Sequence, residues 1–329
     1  MVTSSLRTSD LCQVRVEVTT APTGRSSECT TRWEHLASSP PRGRSKEWSG
    51  LWKSMGMTDQ RDTPQGAGWD VVGAAAEVGS AQFGGRLRAI YALGSLAHGG
   101  FSSLVSDVDV AFILEDLNET DEQTVEDIMA VVRDSDLFLA DRFSLFWGSS
   151  ESLSGHAHGG RFPPIDRLDL IRHGILVGGT EARAGLQEPS YDDLVRGGAC
   201  FAIEVLSRPE RCREITDAEY TVAGGPRKAS KVALFPVRFL YTSRTGEIGE
   251  NAAAVSHYLA SSARSRSRDL VKAAARWRTS WGVDEQRQAV SLLAEGAIPL
   301  YQEFADDYVH RLADDCLATE LMSWARLLG

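Results

Sequence analysis

The stretch that decides the fold reads Ile90-Tyr91-Ala92-Leu93-Gly94-Ser95 and then, after a short loop, Ser106-Asp107-Val108-Asp109-Val110-Ala111-Phe112-Ile113-Leu114. Its two apolar runs predict a pair of strands, and the Gly-Ser step between them predicts a tight turn. A glycine at the end of a strand indicates a backbone that closely approaches a bulky group, here an anionic one. The second strand carries two carboxylates near its start.

Asp107 and Asp109 are two residues apart, so their side chains leave the same face of the strand. Their Cα atoms would lie about 6–7 Å apart. Two carboxylates that lean to within about 4 Å repel each other by about 4 kcal/mol at an effective dielectric constant of 20. A cation offsets this cost, and Mg²⁺ is the cation that binds one or two carboxylates together with waters and substrate phosphates. The pair therefore predicts a metal-nucleotide site.

This combination of a Gly-Ser turn, a spacer and Ser-Asp-x-Asp resembles the DNA polymerase β-like nucleotidyltransferase superfamily. The resemblance implies that Gly94, Ser95 and Ser106 contact a nucleoside triphosphate, which we expect to be ATP. It also implies that Asp107 and Asp109 bind Mg²⁺ and take part in catalysis. A lone hydrolase nucleophile at Ser95 is disfavoured, because the G-x-S-x-G context is absent.

The resemblance further implies a third carboxylate on the next strand, which the pattern places at Arg142–Trp147. Ser144 occupies the middle of that strand, whereas Asp141 precedes it. We therefore choose Asp141 as the third catalytic acid, although another residue could fill the role. Asp166 and Asp169 lie on a predicted helix from Ile165 to His173, where we expect them at the surface.

A second resemblance lies in Phe235-Pro236-Val237-Arg238-Phe239-Leu240-Tyr241-Thr242 and in the following Arg244-Thr245-Gly246-Glu247-Ile248. These residues look like the C-terminal helical domain of streptomycin/spectinomycin-type aminoglycoside adenylyltransferases. That family continues with a Ser-Lys pair, whereas this chain has Gly249-Glu250-Asn251. On the same predicted helix, spacings of three and seven residues place Lys228, Lys231 and Arg238 along one side. They form either a triphosphate clamp or a solvated basic face.

The composition limits the cellular setting and the partners. The 329 residues carry a net charge of −10, although residues 1–54 contain eight Lys/Arg and five Asp/Glu. An acidic body is a poor partner for nucleic acid and a better one for a cationic small molecule. No apolar run approaches a membrane span, and the N-terminus lacks a secretory signal pattern. The five cysteines are scattered without CxxC pairs, which favours a reducing cytoplasm.

The predicted fold class is α+β, with an N-terminal nucleotidyltransferase sheet of mixed strands and flanking helices, followed by a C-terminal helical bundle. Three segments follow from the pattern: a disordered extension at 1–60, a nucleotidyltransferase domain at 61–185 and a helical substrate-binding domain at 186–329. Met55 or Met57 is a candidate start of the translated protein, because Ser, Thr, Arg, Pro and Gly dominate the preceding residues. The alternative is that these residues form a regulatory tail.

Two details of the helices are also predicted. Thr120 and Gln123 form a capping-box signature that opens a helix ending near Arg133. Apolar spacing further along the chain predicts two separate helices, Asp284–Leu293 and Ile298–Leu312.

Three functions remain open at this point. The first is Mg²⁺-dependent transfer of a nucleoside monophosphate to a hydroxyl of a small molecule, with pyrophosphate release; the resemblance implies an aminoglycoside-like acceptor. The second is nucleotidylation of a protein or a tRNA, as in antitoxin-type members of the superfamily. The third is a regulatory protein whose degenerate site binds nucleotide without turnover. Acceptor, base preference and oligomeric state are not encoded in any pattern we find.

Overall fold

A four-stranded mixed sheet lies at the centre of the N-terminal part in this computed structural model, which describes residues 65–156, 158–262 and 265–329. The predicted extension at 1–60 and its alternative starts lie outside the described residues. The strands are β1 (Leu87–Leu93), β2 (Val108–Leu114), β3 (Phe143–Ser149) and β4 (Ile175–Gly179). Their order is β3-β2-β1-β4. Strand β1 runs antiparallel to β2 and β4, whereas β2 and β3 are parallel.

Helices cover both faces of this sheet. They are α1 (Gly66–Phe83), α2 (Gly94–His98), α3 (Asp121–Arg133), α4 (Ser150–Leu153) and α5 (Pro164–His173). Helix α1 packs on one face, where Phe83 meets Phe112 edge to face. Helix α5 covers the other face, and its Leu170 is buried in one cluster with Tyr91 and Phe146. This second face also carries the predicted site residue Asp109, two positions before Ala111 in the same cluster.

From Tyr191 onward every regular element that the structure describes is helical. The helices are α6 (Tyr191–Phe201), which continues into a π-helical turn at Ala202–Leu206, α7 (Pro209–Thr216), α8 (Ala218–Ala223), α9 (Gly225–Thr245), α10 (Asn251–Ser261), α11 (Arg268–Trp277), α12 (Val283–Val309) and α13 (Asp315–Leu327). Their shared core contains the buried aromatic rings of Trp277, Tyr301, Phe304 and Tyr308. The predicted α+β class is confirmed, and the division at 185/186 stays a prediction. None of the described helices is long and apolar enough to cross a bilayer.

Two predictions about the helices are wrong. The two helices predicted at Asp284–Leu293 and Ile298–Leu312 are one continuous helix, α12, with Pro299 inside it. The Thr120 side chain does not cap α3. Instead, the Asp121 carboxylate accepts a hydrogen bond from the Asn118 backbone N–H at 2.8 Å.

Candidate active site

The turn after β1 brings the backbone against the paired carboxylates. Gly94 has φ +61°, a left-handed conformation that favours glycine. A Cβ added at this position would lie 2.5 Å from Oδ2 of Asp109. The Gly94 N–H donates a hydrogen bond to Oδ2 of Asp169 at 2.7 Å. A glycine is therefore required here by both conformation and space, as the sequence indicated.

Asp109 lies on β2 directly opposite Leu93, the last residue of β1, so its carboxylate faces the Gly94 turn. Burial and the neighbouring negative charge of Asp107 together raise its pKa to about 7. A buried carboxyl group with this pKa is stable only when it is protonated or when a cation neutralises its negative charge. This is the electrostatic behaviour that the sequence predicted for the pair.

Helix α9 supplies the cations that face Asp107. Arg227 donates from Nε to Oδ1 of Asp107 at 2.9 Å, and the Lys231 ammonium contacts the Oδ2 atom. The pKa of Asp107 lies below its usual value. Burial raises this pKa, but the positive charges of Lys231 and Arg227 lower it by a larger amount. Burial lowers the pKa of Lys231, although Asp107 opposes that shift.

The three basic residues predicted on this helix do not all reach the site. Lys231 and Arg238 line the cleft described below, but Lys228 does not. Its ammonium lies 3.0 Å from Glu214 and 4.4 Å from the ring centroid of Tyr220. Arg227 takes its place beside Lys231, because a spacing of four residues puts two side chains on the same helical face. The sequence contains this spacing between Arg227 and Lys231, but our prediction used the spacings of three and seven residues that relate Lys228, Lys231 and Arg238.

A cleft lies between the Gly94 turn, the start of β2 and helices α9 and α10. Seven of the nine predicted site residues line it: Gly94, Ser95, Ser106, Asp107, Asp109, Lys231 and Arg238. Ser106 is buried, and its Oγ accepts a hydrogen bond from the Ser102 backbone N–H at 3.0 Å.

Two further polar residues of the cleft were missed by the sequence reasoning. Asn251 lines it from the start of α10, in the segment Gly249-Glu250-Asn251, where the resembling family has a Ser-Lys pair. Arg278 lines it from the segment after α11 and donates to the Gly100 carbonyl at 2.6 Å. Arg238 is held by its own hydrogen bond to the Gly249 carbonyl, at 2.6 Å. Arg278 lies far along the chain from Gly100, so no local sequence pattern connects the two residues.

The structure places Asp141 outside this cleft. It is exposed in the 3₁₀ turn Ala140–Arg142, before β3. Ser144 stands next to Asp109 in the parallel register of β3 and β2. Asp141 as the third acid stays a prediction, without a position in the cleft to support it.

The expectation that Asp166 and Asp169 lie at the surface is wrong. Asp169 is 7% exposed, and Asp166 is half-buried. Burial and the charges of Asp109 and Asp169 together raise the pKa of Asp166 to about 8. Burial also raises the pKa of Asp169. The helical periodicity of α5 placed its apolar residues correctly but could not indicate that its polar side faces another carboxylate.

Next to these acids, His98 closes the end of α2. It lines the cleft, and its ring packs edge to face on that of His173 at 5.6 Å. Its buried Nδ1 has no hydrogen-bond partner among the described residues. Burial lowers the pKa of His98, although Asp169 opposes that shift. The imidazole is therefore poised to remain neutral beside the cleft.

The donor set fits a hard divalent cation that takes part of its coordination from a ligand. Among the described residues, no group of three or more His, Cys, Asp or Glu side chains is arranged to hold a metal ion. Asp107 and Asp109 provide oxygen atoms, which Mg²⁺ prefers, and one or two carboxylates are its usual protein contribution beside phosphates. Burial and the charge of Asp107 raise the pKa of Asp109, so a cation bound at this carboxylate would stabilise its ionised form.

No protein-family model and no curated protein matches this sequence. Among solved structures, the chain is similar to the spectinomycin adenyltransferase AAD(9) from Enterococcus faecialis, crystallised with ATP and spectinomycin. The identity is 16% and the TM-score 0.49, over 70% of this chain and 98% of that chain. At such an identity, the chemistry of the cleft has to be argued from the residues that line it.

Proposed function

We propose that this chain is a Mg²⁺-dependent nucleotidyltransferase, which moves AMP from ATP to a hydroxyl group of a small molecule and releases pyrophosphate. The observation that carries the proposal is the convergence of two repelling carboxylates, a glycine turn and several cations on one cleft. Asp107 and Asp109 stand beside Gly94, and Lys231 and Arg238 face them from α9. This is a charge pattern suited to a metal-bound polyphosphate.

In the proposed reaction, an acceptor hydroxyl oxygen bonds to the α-phosphorus while the bond from that phosphorus to the bridging oxygen breaks. Pyrophosphate leaves with the bonding electrons, and the hydroxyl proton passes to a carboxylate. Lys231 and Arg238 stabilise the negative charge of the leaving group. Asp107 and Asp109 would hold Mg²⁺, which when bound neutralises charge on phosphate oxygens.

Arg227 and Lys231 give Asp107 a temporary partner before the substrates bind. Both cations contact the carboxylate that is proposed to bind metal. A triphosphate offers these cations stronger, bidentate partners, and the metal offers Asp107 a replacement charge. Binding is therefore an exchange of partners, which spares all of these groups from being buried unpaired.

The acceptor is proposed to be a small molecule that occupies the same cleft, with an aminoglycoside-like compound as the first candidate from the sequence resemblance. Spectinomycin, the ligand of the similar solved structure, is one compound to test. A cytoplasmic location, where ATP and reduced thiols coexist, belongs to the same proposal. Transfer to a protein or a tRNA, and nucleotide binding without turnover, are the rival functions.

The experiment is pyrophosphate release from ATP and Mg²⁺ with a panel of aminoglycosides, aminocyclitols and neutral sugars, followed by the mass of each acceptor. An acceptor that gains the mass of AMP supports the proposal. Label that appears on a co-purifying protein or tRNA favours the second function. ATP binding without pyrophosphate release from any mixture favours the third.

Asp107→Asn and Asp109→Asn test the metal assignment within the same assay. Each is expected to lower the transfer rate by about 10²-fold or more, because several kcal/mol of charge stabilisation are lost. Asp136→Asn, an exposed carboxylate that does not line the cleft, serves as the matched control. Full transfer activity in Asp107→Asn or Asp109→Asn contradicts the assignment.

A further inference from the structure

The strand position beside Asp109 carries no acid in this chain. In the parallel pairing of β2 and β3, the residue next to Asp109 is Ser144. Neighbouring residues in register project from the same face of a sheet, so a carboxylate at this position would face the carboxylates of Asp107 and Asp109. A serine is too short to reach as far as an acid would and cannot accept a proton at neutral pH. If the proposed transfer takes place, its proton acceptor must come from another element.

Helix α5 packs over this face and directs two acids toward the pair. Asp166 and Asp169 are three residues apart, so they lie one above the other on a single helical side. The direction of that side is fixed by Asp169, whose Oδ2 accepts the Gly94 N–H at 2.7 Å. Its other oxygen, Oδ1, is buried and has no hydrogen-bond partner among the described residues. Such an unpaired buried oxygen is costly unless it serves a ligand or a mechanism.

Asp166 lies on the side of α5 that faces the sheet, because it is four residues before Leu170, which is buried in one cluster with Phe146. Asp109 and Asp169 are negatively charged neighbours of Asp166, and Arg161 and Arg238 are positively charged ones. Arg161 donates to the Leu145 carbonyl at 3.0 Å, and its guanidinium lies 5.0 Å from the Phe146 ring centroid. Phe146 is on the same strand face as Ser144, two residues further along β3. Asp166 is therefore directed to the face of the sheet that carries both Asp109 and Ser144.

We propose that Asp166, carried by α5, accepts the proton of the attacking acceptor hydroxyl in place of a carboxylate on β3. The O–H bond breaks as the hydroxyl oxygen bonds to the α-phosphorus, and the proton moves to the Asp166 carboxylate while pyrophosphate leaves. Asp169 is a positioning residue, because it holds the Gly94 turn through the backbone N–H. The proposal rests on the proposed function and assigns its missing acid.

The test compares Asp166→Asn with the wild type in three measurements: transfer rate, ATP affinity and thermal unfolding in the presence of EDTA. A general base contributes about 10²- to 10⁴-fold, so the transfer rate is expected to fall by that factor. The dissociation constant for ATP is expected to stay within about twofold, because the lost interaction belongs to the transition state. The melting temperature is expected to hold or to rise, because Asn removes a carboxylate that Asp109 and Asp169 repel.

Two additional variants sharpen the result. Asp166→Glu keeps the carboxylate and is expected to recover part of the rate, which a purely steric role of Asp166 does not predict. Asp136→Asn controls for the removal of one negative charge at an exposed site. Recovery of transfer in Asp166→Asn when Ser144→Glu is added supports the geometric equivalence of the two positions.

Several outcomes overturn the inference. They are transfer by Asp166→Asn within about threefold of wild type, a melting temperature that falls together with the activity, and a loss of rate in Asp141→Asn while Asp166→Asn remains active. A wild-type protein that transfers AMP to nothing overturns the proposed function itself. The failure of the inference alone is recognised by an active wild type with an equally active Asp166→Asn.

Discussion

Gly94 joins backbone conformation to site chemistry at a single residue. Its φ of +61° costs an L-residue roughly 1–2 kcal/mol. The absent side chain also leaves room for the Asp109 carboxylate, which a Cβ would approach to 2.5 Å. With a side chain at 94, Asp109 would have to turn away from the position where it repels Asp107. The turn therefore keeps the carboxylates together.

Gly94→Ala is expected to lower the free energy of unfolding by about 2–3 kcal/mol, from backbone strain and the displaced carboxylate together. Urea denaturation measures this change, and ATP titration is expected to show weaker binding. Gly99→Ala is the matched control, since Gly99 has φ +88° but nothing within 4 Å of an added Cβ. Equal losses of stability and affinity in both variants would show that the contact with Asp109 contributes nothing.

The residues that sequence reasoning found are those that lie close together along the chain. Gly94, Ser95, Asp107 and Asp109 span sixteen positions, and their spacing follows directly from strand and turn geometry. Arg278 could not be found in this way, because its partner Gly100 lies 178 residues earlier in the chain and only the tertiary fold brings the two together.

At the scale of elements, helix α9 presents positively charged side chains to the start of β2. Lys228 and Lys231 have different partners, Glu214 for the first and Asp107 for the second. Lys228 therefore has a structural contact, whereas Lys231 contacts a residue of the cleft. These two lysines are a matched pair for testing that difference.

Lys231→Met is expected to raise the dissociation constant for ATP by about tenfold, which corresponds to about 1.4 kcal/mol. The physical reason is the loss of a charge-assisted contact to phosphate in a partly buried site. Isothermal titration with Mg²⁺ and ATP measures it. Lys228→Met is expected to leave that affinity unchanged and to reduce stability through Glu214. Similar losses of ATP affinity in both variants would mean that Lys231 has no special role in binding ATP.

A second element-scale anchor joins α3 to the start of β1. Asp121, whose side chain is 1% exposed, accepts two hydrogen bonds from Arg86, at 2.9 and 2.7 Å. This bidentate pair and the Asn118 N–H hold the pKa of Asp121 below its usual value. The predicted Thr120 cap was wrong, because Asp121 satisfies the backbone at this helix start instead.

Asp121→Asn is expected to cost about 2 kcal/mol in the free energy of unfolding at neutral pH, since a buried charged hydrogen bond is removed. The folded-state pKa is depressed, so the stabilisation is present above the ordinary carboxyl pKa of about 4 and is lost as pH falls below it. Urea unfolding of both proteins at neutral and acidic pH measures this. A difference that stays constant down to acidic pH would contradict the ion pair.

The division of α12 in the sequence prediction shows where periodicity stops being informative. Gly296 and Pro299 both signal a helix end in isolation. In the structure, a Cβ at 296 would lie 3.1 Å from Cβ of Leu270, so the glycine allows two helices to approach closely. The surrounding core then supports the helix through Pro299. Tertiary contact of this kind leaves no trace in local composition.

At the scale of the whole molecule, the cleft and the chain have opposite electrostatic character. The chain carries a net charge of −10. The cleft is lined by Lys231, Arg238 and Arg278, against the carboxylates of Asp107 and Asp109. Metal binding at those carboxylates would leave the cations as the dominant field. An anionic nucleotide is then attracted locally while the rest of the surface repels it, which concentrates binding at one place.

ATP affinity in the presence of Mg²⁺ is therefore expected to weaken with salt. Raising the ionic strength from about 0.1 M to about 1 M shortens the Debye length from about 10 Å to about 3 Å. Titration across this range is expected to show a dissociation constant that rises several-fold, with a shallower slope for Lys231→Met because one cation is missing. A salt-independent affinity would mean that the cations are paired within the protein when ATP is bound. In that case Arg227 and Lys231 keep their contacts with Asp107, and the proposed exchange of partners does not take place.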